Sequence, residues 1–401
     1  MVTDPSKIMV IGDDDQCIVE GTLVTTDRGQ IPIEDVQVGD WVTTGIGRGN
    51  TGQFMVDAVS KKHITGEIVV IKTKSGKTLR GTANHIGFAR LVPNADYYYT
   101  YLMYKKEIGF RIGVTGGVRA GGRGELRNGI DMRLMQEKAD KAWLLKKSNT
   151  KEEALYWESH YAYMYGIPMY RFVANDEGSA KTALGIETIL KLHAELDTYS
   201  RGLQLLEELG MSYEYPHRIP QASGDRHKLN FSMFSSIQKS RYGMHKSELG
   251  ASSSDEEYVD VLRPYLSTTI RKASKNDYTY YNSRSVTDGI DNHMDIIERV
   301  EEDCREKGIY LEVNKDAKFN DNKYMFMPLG NMVEGMFVPM LNGDTVEEDE
   351  IVSVTKEQYE GYVYDISVPA TRNFVANDIV VHNCIYQWRG ADPTIILNIC
   401  A

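Results

Sequence analysis

Val380-Val381-His382-Asn383-Cys384 closes a β-like run with an asparagine joined to a cysteine, and a second cysteine opens the run Cys17-Ile18-Val19-Glu20-Gly21-Thr22-Leu23-Val24. A thiol is a nucleophile toward a neighbouring carbonyl once it is activated, because its free pKa of about 8.5 leaves only a few per cent as thiolate at neutral pH. An asparagine amide can attack its own backbone carbonyl. The chain therefore carries a bond-breaking group at each end of residues 17–384, and its fold has to bring those ends together.

The strand pattern offers a way to do so. Thr22 to Thr26 is β-rich and ends at the Asp27-Arg28-Gly29 turn, and Val36 to Asp40 and Trp41 to Thr43 repeat the theme. His63 to Lys72 and Thr78 to Ile86 alternate apolar and polar residues around Lys74-Ser75-Gly76, as half-buried strands do. Far along the chain, Met336 to Pro339, Ile351 to Val354, Tyr362 to Val368 and Asn373 to Val381 read as strands too. The two distant sets are expected to form one all-β unit with everything else inserted between them. Those strands pair at long range, so the unit is expected to need a connection across the middle but not this particular one, since loop-closure cost grows only slowly with length.

Residues 17–92 and 332–384 resemble inteins and the related Hedgehog autoprocessing domains. The resemblance rests on Cys17 to Gly29, on Gly81-Thr82-Ala83-Asn84-His85, and on Val363 to Cys384. It implies the horseshoe-shaped Hint fold and protein splicing with no cofactor. Cys17 would attack the Gln16 carbonyl, with His85 supplying a proton to the departing nitrogen and Thr82 holding the scissile peptide. Asp365 would tune the thiols, Cys384 would take over the N-terminal flank, and Asn383 would cyclise with help from His382. One departure is Arg372-Asn373 before Phe374, where many inteins carry a histidine. Outside the cysteines, Met9 to Gln16 followed by Cys384 to Asp392 resembles the GDxxQSIYxFRGA motif of helicases of the UvrD/Rep kind. The interrupted host would then be such a helicase. Cleavage without ligation, as in Hedgehog-like domains, is the alternative.

Residues 97–170 resemble the GIY-YIG nucleases. A hairpin (Tyr97 to Tyr104, Phe110 to Gly113) precedes a helix from about Asp131 to Asp140, a strand over Ala142 to Lys146 and a helix over Lys151 to Tyr165. The resemblance implies Tyr101 as base, Arg133 as phosphate clamp and Glu158 as the ligand of one Mg²⁺. Arg111 stands where the family has its second tyrosine and Glu137 where it often has histidine, so a decayed nuclease that only binds DNA is the alternative reading. Residues 101–149 hold eleven Lys and Arg against five acids, +6 in a chain of net charge −11. That is the footprint expected of phosphate contact with double-stranded DNA.

The expected organisation is 1–16 N-terminal flank, 17–95 first Hint part, 96–175 endonuclease-like, α/β (α+β) domain, 176–330 accessory DNA-recognition domain, 331–383 second Hint part and 384–401 C-terminal flank. In the accessory region, Leu184 to Leu209 has helical spacing, Ser252 to Glu257 reads as a mobile loop, and Ile309 to Met327 as a hairpin. Asp291-Asn292-His293 reads as a helix start. The Gly178 to Thr182 stretch lacks the Gly-Lys pair of a phosphate loop. Four cysteines without CxxC spacing indicate neither zinc nor disulfides, and reduced thiols fit a cytoplasmic monomer. No apolar run approaches the roughly 20 residues that span a bilayer.

Overall fold

The computed structural model describes residues 16–106, 108–120, 125–172, 184–220, 227–272 and 279–383. Met9 to Asp15 of the helicase-like motif, the Gly178 to Thr182 stretch and Cys384 lie outside them. The architecture is mainly β, with the α-helices of the described residues confined to residues between 129 and 306.

One strand pair ties the outer pieces of the chain together. Ala58–Thr73 runs antiparallel to Thr345–Ser367, from Ala58 opposite Ser367 to Thr73 opposite Ile351. Its middle is largely exposed, and each end is buried on one strand, Val363 to Ser367 at one end and Ile68 to Ile71 at the other. The short strand Ile18–Val19 adds to the same sheet, Ile18 opposite Tyr364 on one side and opposite Gly81 on the other. A Cβ on Gly81 would sit 2.9 Å from the Cys17 carbonyl oxygen, so only glycine lets the two backbones approach this closely.

A second sheet carries the C-terminal strands. Asn373–Ala376 pairs with Ile379–His382, and Val381 lies opposite Gly87 of the strand Ile86–Leu91. That strand then receives Tyr324–Pro328 along its length, Met325 opposite Ala89. Through Leu311–Ala317 the sheet runs on to His227–Met233 in parallel, joined by a crossover that includes the helix Ile290–Glu306, and then to Ser247–Ser253 and Thr279–Thr287. Residues 227–328 thus extend the sheet formed by the outer pieces rather than hang from it. Phe88, Val375 and Val380 share one apolar cluster with Phe231, Phe234 and Phe319.

Residues 98–165 form an antiparallel sheet ordered Gly109–Gly116, Tyr98–Lys105, Lys141–Ser148, covered by the helices Gly129–Glu137 and Lys151–Tyr165. The second helix has the expected ends because Thr150 caps it by accepting from the Glu153 amide, and Gly166 closes it in the left-handed region.

Three local expectations give way to turn and cap chemistry. Val36 to Asp40 is a turn, in which the Asp40 carboxylate accepts from the Gln37 amide at 3.0 Å. The helical stretch 184–209 is two helices, Ile186–Glu195 and Thr198–Glu208, broken where Asp197 turns left-handed and caps the second. The acidic stretch Ser252 to Glu257 is ordered. It ends a strand and starts the helix Glu256–Leu262, with Asp255 as cap and two glutamates in the first turn, where the helix dipole favours them.

Candidate splicing site

Cys17 and Thr82 are locked together. The Thr82 hydroxyl accepts from the Cys17 amide at 2.9 Å and donates to the Cys17 carbonyl at 3.3 Å, and the Thr82 amide donates to that same carbonyl at 2.9 Å. The Cys17 amide nitrogen belongs to the Gln16–Cys17 bond, so one buried hydroxyl holds the nitrogen that would leave. The Cys17 side chain is nearly buried against Val19, Ile68 and Val363. One further step along the register of Ile18 with Tyr364 sets Cys17 opposite Asp365, whose buried carboxylate accepts from the Ile366 amide at 2.9 Å.

His85 follows in the turn whose amide bonds back to the Thr82 carbonyl at 3.1 Å. Its ring is completely buried, and that desolvation lowers its pKa to about 4 against a smaller opposing pull from the Gln16 backbone. Neither ring nitrogen completes a hydrogen bond among the described residues. The ring is therefore neutral at pH 7 and still carries one N–H to offer.

The other end of the chain reaches the same strand. His382 is buried against Phe88 and Phe326, its pKa driven well below the usual range by burial first, then by the charge of Arg372 and by His85. Asn383 is fully buried, its amide donates to the Arg372 carbonyl at 3.3 Å, and its side-chain oxygen and nitrogen have no partner among the described residues. An uncommitted carboxamide is what a cyclising asparagine requires. A fixed one would be a structural residue.

Arg372 and Asn373, which depart from the family pattern, prove to be built in. Asn373 grips Gly45 from both sides, accepting from its amide at 2.7 Å and donating to its carbonyl at 3.0 Å. Arg372 has a left-handed backbone and a completely buried side chain that forms two bonds, 3.0 and 2.8 Å, to the carboxylate of Asp291. Sequence reading placed Asp291 only as a helix start. No motif marks a carboxylate 81 residues away as a partner.

The residues singled out in 97–170 also meet. The Arg111 guanidinium lies 3.3 Å from the Tyr101 hydroxyl and pairs at 2.6 Å with Glu137, both charged groups nearly inaccessible. The two departures from the family pattern thus pair with each other. Gly113 leaves room for the Tyr101 ring, since a Cβ there would fall 2.5 Å from its hydroxyl. Burial pushes the Tyr101 phenol up, more than Arg111 draws it down. Glu158 is raised chiefly by burial, while Arg111, Arg133 and the Val114 amide hold it lower. No group of three or more His, Cys, Asp or Glu that could hold a metal occurs among the described residues.

Residues 290–383 match the family model of the intein splicing domain. The match takes in Asp291, Arg372, His382 and Asn383 together. Over 70 residues the chain is 36% identical to the replicative DNA helicase DnaB of Synechocystis sp., a stretch covering 18% of this chain and 8% of that protein. Over 53 residues it is 45% identical to a DNA polymerase of Thermococcus hydrothermalis, covering 13% of this chain and 3% of that protein. The chain thus spans only a small part of the curated relatives it matches. Among solved structures, a DnaB intein from Synechocystis sp. PCC 6803 aligns over 92% of this chain and 99% of its own at 9% identity, with a TM-score of 0.31.

Proposed function

We propose that the chain is a self-splicing element that excises residues 17–383 and joins Gln16 to Cys384. The observation that carries this reading is the Thr82 hydroxyl on the Cys17 amide, the nitrogen bonded to the Gln16 carbonyl. The Cys17 sulfur attacks that carbonyl carbon. The C–S bond forms as the C–N bond breaks, and the freed nitrogen takes a proton through Thr82 and His85. The neutral His85 N–H is suited to polarising the carbonyl, and a general acid at this step is worth roughly 10²–10⁴-fold. Cys384 then displaces the Cys17 thiol from the thioester. The Asn383 amide nitrogen attacks its own carbonyl carbon, the bond to Cys384 breaks, and the new amine gains a proton with His382 at hand. An S-to-N shift completes a normal peptide. The flanking segments are the only substrate, and a monomer suffices.

Asn383→Ala tests this by removing the cyclising amide alone. The variant should accumulate thioester or branched chains, from which added thiol releases the N-terminal flank, as read by intact-mass spectrometry. Normal amounts of ligated flanks in that variant would overturn the reading, and release of both flanks unligated from the unaltered chain would favour cleavage without ligation.

We further propose that residues 96–175 act on double-stranded DNA, the accessory residues 176–330 helping recognition, at the uninterrupted helicase site. The support is one cluster of Tyr101, Arg111, Arg133 and Glu158 in a locally basic segment. On this reading the Glu158 carboxylate would hold one Mg²⁺ with water and phosphate oxygens as its other ligands; when bound, the metal would act as a Lewis acid on a phosphate. Arg133 would hold a phosphate oxygen, and Tyr101 would act as base in its deprotonated form, which the adjacent Arg111 guanidinium stabilises against the burial that favours the phenol. Glu158→Ala should abolish Mg²⁺-dependent nicking of a plasmid bearing that site while splicing continues. Gel retardation without nicking by the unaltered chain would mean a decayed nuclease that only binds.

A further inference from the structure

The inserted helix Ile290–Glu306 reaches into the C-terminal half of the splicing site. Its Asp291 carboxylate, in the first turn, takes both bonds from Arg372, whose guanidinium is completely buried while the carboxylate stays half-exposed as its outer cover. The Arg372 carbonyl in turn accepts the Asn383 amide at 3.3 Å, and the Arg372 charge is the second cause, after burial, of the neutrality of His382. A bidentate carboxylate fixes a guanidinium in plane as well as in place, and here the guanidinium belongs to a residue whose backbone sits in the left-handed region, where a non-glycine side chain is strained and persists only when its surroundings hold it.

We propose that Asp291 is a positioning residue for Asn383 cyclisation, acting through the side chain and backbone of Arg372. This rests on the splicing reading and extends it to a residue of the inserted region. The chain of contacts is short. Asp291 holds the Arg372 side chain, the side chain holds a strained backbone, and that backbone carbonyl holds the amide of Asn383. The asparagine backbone is thereby held in place while its carboxamide stays uncommitted among the described residues. Near-attack positioning of this kind contributes heavily to intramolecular reactions, and small misplacements are costly. The same pair sets the charge beside His382, so its loss changes both the geometry and the field at the cleaved bond.

The sequence order makes the arrangement consequential. Asp291 precedes Arg372 by 81 residues and lies in no splicing motif, yet the C-terminal step depends on it. Cys17 is held by Thr82 and by the strands around Tyr364 and Gly81, not through the Asp291–Arg372 bonds. The two halves of the reaction should therefore respond differently to loss of this carboxylate, which a general weakening of the fold would not produce.

The test uses the full 401-residue chain carrying Asp291→Asn, Asp291→Glu, Arg372→Gln or the pair Asp291→Asn with Arg372→Gln. Release of the N-terminal flank by added thiol reads the first step, and appearance of the free C-terminal flank reads the second. Asp291→Asn should slow C-terminal release about ten-fold, the scale of coupling within one hydrogen-bonded network, and leave thiol-induced N-terminal release unchanged. Asp291→Glu should restore part of the rate. In the Arg372→Gln background, Asp291→Asn should have no further effect. Equal slowing of both steps would make Asp291 merely structural and overturn the proposal, as would an additive double variant. Absence of both releases in the unaltered chain would instead remove the splicing reading on which the proposal stands.

Discussion

Replacing Cys17 by alanine is expected to eliminate ligated product altogether and to leave Asn383-dependent release of the C-terminal flank running. No other described thiol can substitute, since the remaining free cysteine, Cys304, is buried in the helix Ile290–Glu306 and burial pushes its pKa up to about 11. The Thr82 grip involves only the Cys17 backbone, so alanine keeps every hydrogen bond of the N-terminal centre and removes only the nucleophile. The fold should lose about 1 kcal/mol for the smaller side chain in its apolar site. Intact-mass measurement after incubation should then show two species, uncut chain and chain lacking its C-terminal flank. Any joined product of residues 1–16 with 384–401 would mean that the first acyl transfer does not pass through this sulfur.

How much of this was readable in advance depends on whether the signal was local. Thr82, His85, His382 and Asn383 could be picked out because each stands in a short motif beside the bond it is proposed to serve, and the structure sets the Thr82 hydroxyl on the Cys17 amide and His382 at the end of the strand that meets Ile86–Leu91. The three-stranded sheet with its two helices was legible for a similar reason, since alternating Tyr101, Met103, Ile112 and Leu144 and the Thr150 cap are all written within a few residues. The helix start at Asp291 was legible, but its carboxylate's partner was not. Periodicity reports which face of an element is buried and says nothing about which distant element covers it. Turns were misread where side chains rather than propensity decide, as at Asp40, Asp197 and Asp255. The shared sheet was missed for a related reason. Tyr324–Pro328 has the same alternation whether it closes an inserted domain or pairs with Ile86–Leu91.

That last point reverses the expectation that the middle of the chain can be exchanged freely. Loop-closure entropy grows slowly with length, so connecting the outer pieces by a short linker in place of 97–328 costs little in itself. The cost lies in what the linker uncovers. Ile46, Ile86, Phe88, Val346, Val375 and Val380 belong to the splicing strands, yet they are buried in one cluster with Phe231, Phe234, Phe319 and Phe326 from the inserted residues. Exposing a large apolar side chain forfeits roughly 1.5–3 kcal/mol, so six such residues approach the whole stability of a typical domain, about 5–15 kcal/mol. The linker chain is expected to be insoluble or unfolded and to give no ligated product, by denaturant titration and intact mass. Exchanging Phe88 and Val380 for polar residues should recover soluble protein. Even then the C-terminal step should stay slow, because the helix carrying Asp291 is gone and Arg372 is left buried without that carboxylate. Ligation at the full chain's rate, with the same unfolding midpoint, would show that the common core adds nothing to the splicing strands. Recovery of folding with a normal N-terminal step and a slow C-terminal one would separate the two debts, one of packing and one of charge.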